Sequence, residues 1–191
     1  IFEKISISNI KIINLKKNIG YGHGIMSGLS IAKGQIVSWT HGDIQCDLYD
    51  VVRCYKKYKK ELFKNNLLLK GKRINRAFID NFFSKCMAII ASIIFNQKFS
   101  EINAQPKIFN KKLLKYFNNA PDDFSLDLYL IYVANLNNYQ INEYPVKYKK
   151  RLFGVSKGGD TLIGKIKLTI KTFSYMLKLK KILNDSNYTP H

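Results

Sequence analysis

Apolar positions along this chain come in short blocks whose period changes from block to block. Lys11–Asn14 closes a strand-like stretch. Asn18–Gly24 then reads N-I-G-Y-G-H-G, where three glycines in five residues exclude a helix interior and predict a turn or a close approach to backbone. Gly24–Ala32 sets Ile25, Leu29 and Ala32 near one helical face, and Gly34 is suited to closing that helix. Ile36–Thr40 is a short apolar strand that runs straight into His41-Gly42-Asp43. Strand, glycine turn, helix, strand and polar loop in that order predict an α/β unit with a parallel sheet.

The pattern continues with a helix over Leu48–Lys60, its buried side carrying Val51, Val52 and Tyr55, and a strand at Leu67–Leu69. Phe78–Phe95 has apolar residues at helical spacing and reads as the longest buried helix. Ala104–Phe109 is extended around Pro106, and Asn110–Phe117 is a short helix. The Pro121-Asp122-Asp123 turn can start a helix over Phe124–Leu136. Ile141–Val146 is a strand in which Pro145 suits an edge. In the tail, Ile163, Ile166, Ile170, Phe173 and Leu177 follow a 3-and-4 spacing with lysines between, which is an amphipathic helix.

Size and charge narrow the partners. The chain has 191 residues, enough for one domain with a sizeable core, and 46% are hydrophobic, so it folds rather than staying disordered. The net charge is +19, with 28 Lys against 4 Arg. That balance favours phosphates, nucleic acid or an acidic lipid surface without choosing among them. Cys46, Cys54 and Cys86 form no C-x-x-C pair, which argues for a reducing compartment. His23, His41 and His191 are too scattered for an obvious zinc site. The apolar stretch near Met87–Phe95 is too short to span a bilayer. Ile1 is not an initiator Met, so an N-terminal part is expected to be missing or removed.

Asp43 stands just past a strand end, where open α/β sheets place ligands. One carboxylate there can hold a hard divalent cation whose other ligands are substrate phosphates, or it can be an ordinary turn residue. His41 and Gln45 lie two residues to either side and can approach the same region. The glycine run lacks the G-K-[ST] of a P-loop. With lysine supplying generic charge, Arg73, Arg76 and Arg151 are candidates for planar phosphate contacts, with Lys72 and Lys157 adding point charges; the alternative is an ordinary surface role. Asp127 sits among apolar residues near a helix start, either functional or suited to the helix dipole. Glu143 reads as a structural partner on its strand.

The stretch from Asn18 to Gln45 resembles the segment leading into the metal-binding motif of the family 2 glycosyltransferases, including the polyprenyl-phosphate sugar transferases. Asn18, Gly20 and Gly22 match the K-N-x-G-x-G start, Ala32 and Gly34 the helix end, Asp43 the second acid of a D-x-D-like motif and Gln45 its glutamine. His41 falls where the first acid belongs. Gly71 and Arg73 match a G-x-R loop, and Asn103–Phe109 resembles a D-I-N-x-x-P-K-x-F-like motif. Asp127 matches an acid at a helix start; Glu143–Val146, Arg151, Gly154, Ser156 and Lys157 match E-x-P-V…R-x-x-G-x-S-K.

The resemblance implies a GT-A type fold with a mostly parallel sheet flanked by helices, N-terminally truncated, over residues 1–159, followed by a helical tail over 160–191. It implies sugar transfer, with inversion, from a nucleotide-diphospho-sugar to a polyprenyl phosphate or glycan acceptor. Mg²⁺ or Mn²⁺ would be held by Asp43 with His41 and Gln45. Arg73, Arg151 and Lys157 would stabilise the leaving diphosphate, and Asn18, Gly20, Gly22 and Arg76 would line the donor site. Asp127 would be the general base for a sugar hydroxyl, or would orient groups if the acceptor is already an anionic phosphate. The basic loop and amphipathic tail suggest a membrane surface, the inner face of the cell membrane for a cytoplasmic protein; the alternative is that the tail helix packs on the sheet and covers it. The alternatives are an inactive fragment of such an enzyme and a basic nucleic-acid binder. The aromatics are spread through apolar segments rather than interleaved with arginine, so nucleic acid is not the expected partner.

Overall fold

In a computed structural model of the chain, the described residues are 10–42, 45–64, 66–149 and 162–185. Helix α1 spans Tyr21–Ile31, strand β1 Ile36–Trp39, helix α2 Tyr49–Lys64 and strand β2 Leu67–Ile74. Helix α3 covers Phe78–Phe95 and strand β3 Lys107–Asn110, which runs into a 3-10 helix over Lys111–Tyr116. Helix α4 is Leu126–Leu136, strand β4 Gln140–Lys147 and helix α5 Leu162–Asp185.

The four strands form one sheet in the order β1-β3-β2-β4. β3 pairs antiparallel with both β1 and β2, and only β2 and β4 pair in parallel. The expected mostly parallel GT-A type sheet is therefore overturned: two of the three pairings are antiparallel. The physical reason lies in the connection between β2 and β3. Residues 75–106 include all of α3 and a loop of eleven residues, a path long enough to bring the chain back in either direction. A short strand such as Lys107–Asn110, with Ile108 and Phe109 as its apolar residues, encodes burial but not direction.

One register row crosses the sheet through Trp39, Lys107, Lys70 and Glu143. On that face Val37, Phe109 and Leu68 join α3, α4 and α5 in the main core. On the other face Leu67, Leu69 and Ile108 pack with Cys54 and Leu62 of α2. Met176, Leu179 and Leu183 bring α5 into the main core.

Several local expectations are also corrected. Residues 10–20 carry no strand. Helix α1 starts at Tyr21, so Gly22 and Gly24 lie in its first turn. First-turn N–H groups lack intrahelical partners in any case. One of them, that of His23, donates to the carbonyl oxygen of Asp122 (3.1 Å), and a Cβ on Gly22 would run into the carbonyl of Pro121. Gly20 and Gly22 thus serve close contact with the 121–122 turn, whereas a Cβ on Gly24 would meet nothing within 4 Å. On α2, Val52 is 44% exposed, and the fully buried positions are Asp50, Cys54 and Leu62. Helix α3 has the expected bounds but is not a buried helix: only Ala88, Ala91 and Phe95 are buried.

Candidate functional site

Asp127, on the first turn of α4, is buried and forms the hub of a polar cluster. Tyr21 Oη donates to Oδ2 at 3.0 Å and Trp39 Nε1 to Oδ1 at 3.2 Å. Gln105 Nε2 donates to both carboxylate oxygens at 3.0 and 3.2 Å. Lys107 Nζ stands 3.8 Å from Oδ1. The partners come from four different segments: the start of α1, the end of β1, the loop before β3, and β3 itself. Burial, followed by the negative charge of Asp127, pushes the Tyr21 hydroxyl far above its ordinary value. Burial pushes the Lys107 ammonium down to about 8 despite Asp127, and it donates to the carbonyls of Ile102 (2.6 Å) and Ala104 (2.7 Å). Gln105 Oε1 is buried with no partner among the described residues.

A second cluster lies where β2 and β4 end. Arg73 Nε donates to Glu101 Oε2 at 2.9 Å. The guanidinium carbons of Arg73 and Arg76 stand 5.8 and 5.6 Å from the centroid of the Tyr148 ring. Arg76 also donates to Ser84 Oγ at 2.8 Å. Burial first, then the neighbouring Arg73 charge, lowers the Arg76 guanidinium below its ordinary value. Tyr148 Oη donates to Gln45 Oε1 at 2.8 Å, Gln45 Nε2 donates to the Lys149 carbonyl at 3.3 Å, and Lys149 N–H donates to the Gln45 carbonyl at 2.8 Å. The segments that follow β1, β2 and β4 therefore meet. The loop before β3 reaches both clusters, with Glu101 on Arg73 and Gln105 on Asp127.

Between these clusters Lys70, only 2% exposed, donates to Glu143 Oε1 and the Ser100 carbonyl, both at 2.7 Å. Burial raises the Glu143 carboxyl, but hydrogen bonds from Lys70, Ser100 and Lys72 outweigh it and hold the group at about 2. Burial lowers the Lys70 ammonium, and Glu143 offsets part of that.

At the other end of the Asp127 cluster, Tyr21 stacks on Phe124 with centroids 5.0 Å apart, and the His41 ring lies 6.4 Å from the Tyr21 ring. A cleft of about 420 Å³ opens beside Tyr21, lined by Lys17, Asn18, Gly20 and Gly24 among others.

Asn18, Gly20, Gly22, His41 and Asp127 thus gather around Tyr21, and Arg73, Arg76 and Gln45 around Tyr148. Asp43, Arg151 and Lys157 lie outside the described residues, as do Gly154 and Ser156. Gln45 uses both ends of its amide on Tyr148 and Lys149, which leaves it poorly placed to ligate a metal. Among the described residues no group of three His, Cys, Asp or Glu could hold a metal ion. Tyr21, Trp39, Gln105, Lys107, Glu101 and Tyr148 are not among the residues to which the sequence pattern assigns a role. A signal existed for two of them: Gln105 and Lys107 are long polar side chains two apart at the start of an apolar strand, so they share a side and need a buried partner. No protein-family model matches the chain, and no curated protein matches it.

Proposed function

We propose that this chain transfers a sugar from a nucleotide-diphospho-sugar to a lipid phosphate at the end of the sheet where Arg73, Arg76 and Asp127 stand. What supports the reading most is the pairing of Arg73 and Arg76 over one tyrosine ring. Burial and then the Arg73 charge disfavour the charged form of Arg76, and Glu101 is the acid hydrogen-bonded to Arg73. An anionic ligand relieves that repulsion, and guanidinium geometry suits phosphate oxygens.

The burial of Asp127 favours the phosphate acceptor over a sugar hydroxyl. Its carboxylate is covered by Tyr21, Trp39 and Gln105, which suits a positioning residue rather than a base that must reach an incoming hydroxyl. An acceptor phosphate is already anionic, so it needs no base. Its oxygen forms a bond to the anomeric carbon as the bond to the donor diphosphate breaks, and one displacement inverts that carbon. Arg73 and Arg76 stabilise the phosphate charge during the exchange. Asp43 and His41 are the residues that would hold a Mg²⁺ or Mn²⁺ ion, whose charge would offset that of the leaving diphosphate.

The test is titration calorimetry with UDP and GDP in the presence of Mn²⁺. The reading expects one of them to bind, and Arg73→Gln or Arg76→Gln to weaken it about tenfold, the loss of one charge-assisted contact. Binding that neither substitution changes removes these arginines from the site.

A further inference from the structure

Helix α3 is apolar on two opposite faces. Ala88, Ala91 and Phe95 are buried in the main core. On the other side Phe78, Ile79, Phe82, Ile89 and Ile93 are exposed, Phe78 by 85% and Ile93 by 75%. At 100° per residue these five fall within an arc of about 100°, so they form one stripe along the helix. Single exposed apolar residues are ordinary, but a continuous stripe of five large ones is not.

Helix α5 packs against α3 and repeats the design. Met176, Leu179 and Leu183 are buried, while Ile163, Ile166, Ile170, Phe173 and Leu177 are exposed within an arc of about 80°. Lys167, Lys171, Lys178 and Lys181 are exposed on the adjoining part of the helix. Over its whole length α5 has six lysines and one acid, Asp185.

We infer that the exposed faces of α3 and α5 seat the protein on an anionic lipid surface, with both helices in the plane of the interface. Charge complementarity selects this occupant. A second copy of the chain would set two lysine-rimmed stripes against each other, and the repulsion between the rims would oppose the burial of the stripes. Acidic headgroups instead neutralise the rim while the acyl boundary takes the stripe. Length and composition would let α3 cross a membrane, but its buried face holds it against the core and therefore in the plane. The inference stands on exposure and charge alone and does not require the transferase reading.

Flotation of the full chain with vesicles tests it. Vesicles of phosphatidylcholine with roughly a third phosphatidylglycerol should carry the protein, and phosphatidylcholine alone should not. Phe78→Ser with Phe82→Ser changes exposed positions only, so the fold, checked by circular dichroism, should be kept while partitioning falls at least about tenfold. Lys167→Gln with Lys171→Gln should also weaken it severalfold. Three results would overturn the inference: a folded wild type that ignores the anionic vesicles, binding that the phenylalanine variant leaves unchanged, or a concentration-dependent dimer in place of vesicle binding.

Discussion

Lys107 and Asp127 face each other without the short contact of an ordinary ion pair. The 3.8 Å gap remains because the ammonium donates to the carbonyls of Ile102 and Ala104, while three neutral donors satisfy the carboxylate. Burial is therefore the dominant influence on Lys107, and its ammonium titrates near 8 in the folded chain against an ordinary value of 10.5. Between those two pH values the unfolded chain holds more protons than the folded one, so this group makes stability rise with pH. Urea denaturation of the wild type and Lys107→Met should show their stability difference moving in favour of the wild type from about pH 8 to about pH 10.5, by on the order of 2–3 kcal/mol. A difference that stays flat across that window would mean that Lys107 is not shifted. At this scale the sequence marked Asp127 as an acid among apolar neighbours but could not name its partners. Tyr21, Trp39 and Gln105 lie 106, 88 and 22 residues away along the chain, and local periodicity carries no information at those separations.

Elements were more legible than their arrangement. The bounds of α3 were readable at both ends because its apolar spacing is sustained for five turns and Asn96, in the left-handed region, ends it. Its burial was not, since a helix that is apolar all round looks the same whether protein or another apolar phase covers its second face. The strand over Leu67–Leu69 was legible, but its extension through Gly71 and Arg73 to Ile74 was hidden by polar residues that the parallel ladder with β4 keeps in place. Gly71 shows what the close approach of the loop before β3 requires. Its N–H donates to the Pro106 carbonyl at 2.9 Å, and a Cβ there would land on the carbonyl of Gln105. Gly71→Ala should cost more than about 2 kcal/mol in urea denaturation, because backbone rather than a flexible side chain must move. Gly28→Ala, in the interior of α1 with nothing within 4 Å of its Cβ position, should instead be neutral or stabilising by up to about 1 kcal/mol. Equal effects at the two sites would contradict this account of β2.

At the scale of the whole molecule, a net charge of +19 is carried by a chain built on a small four-stranded sheet. β1, β2 and β4 run in one direction, with β3 inserted against them between β1 and β2. Their ends bring Arg73 and Arg76 to Tyr148, and the turn before α4 brings Asp127 to Tyr21, so segments far apart in sequence meet along one rim. The alternation of strands and helices was legible, but the α/β reading with a mostly parallel sheet drawn from it was wrong, because the direction of β3 depended on a long connection that pattern does not constrain. If the rim transfers a sugar, the cations must matter to the exchange itself and not only to donor affinity. The most direct measurement is release of nucleoside diphosphate from UDP- and GDP-sugars by the full chain, with Mn²⁺, with and without a polyprenyl phosphate in detergent. The account predicts release that requires the lipid phosphate and falls at least about tenfold in Arg76→Gln while Gly28→Ala retains it. No release from any donor by the folded wild type, or release that Arg73→Gln and Arg76→Gln together leave unchanged, would contradict it.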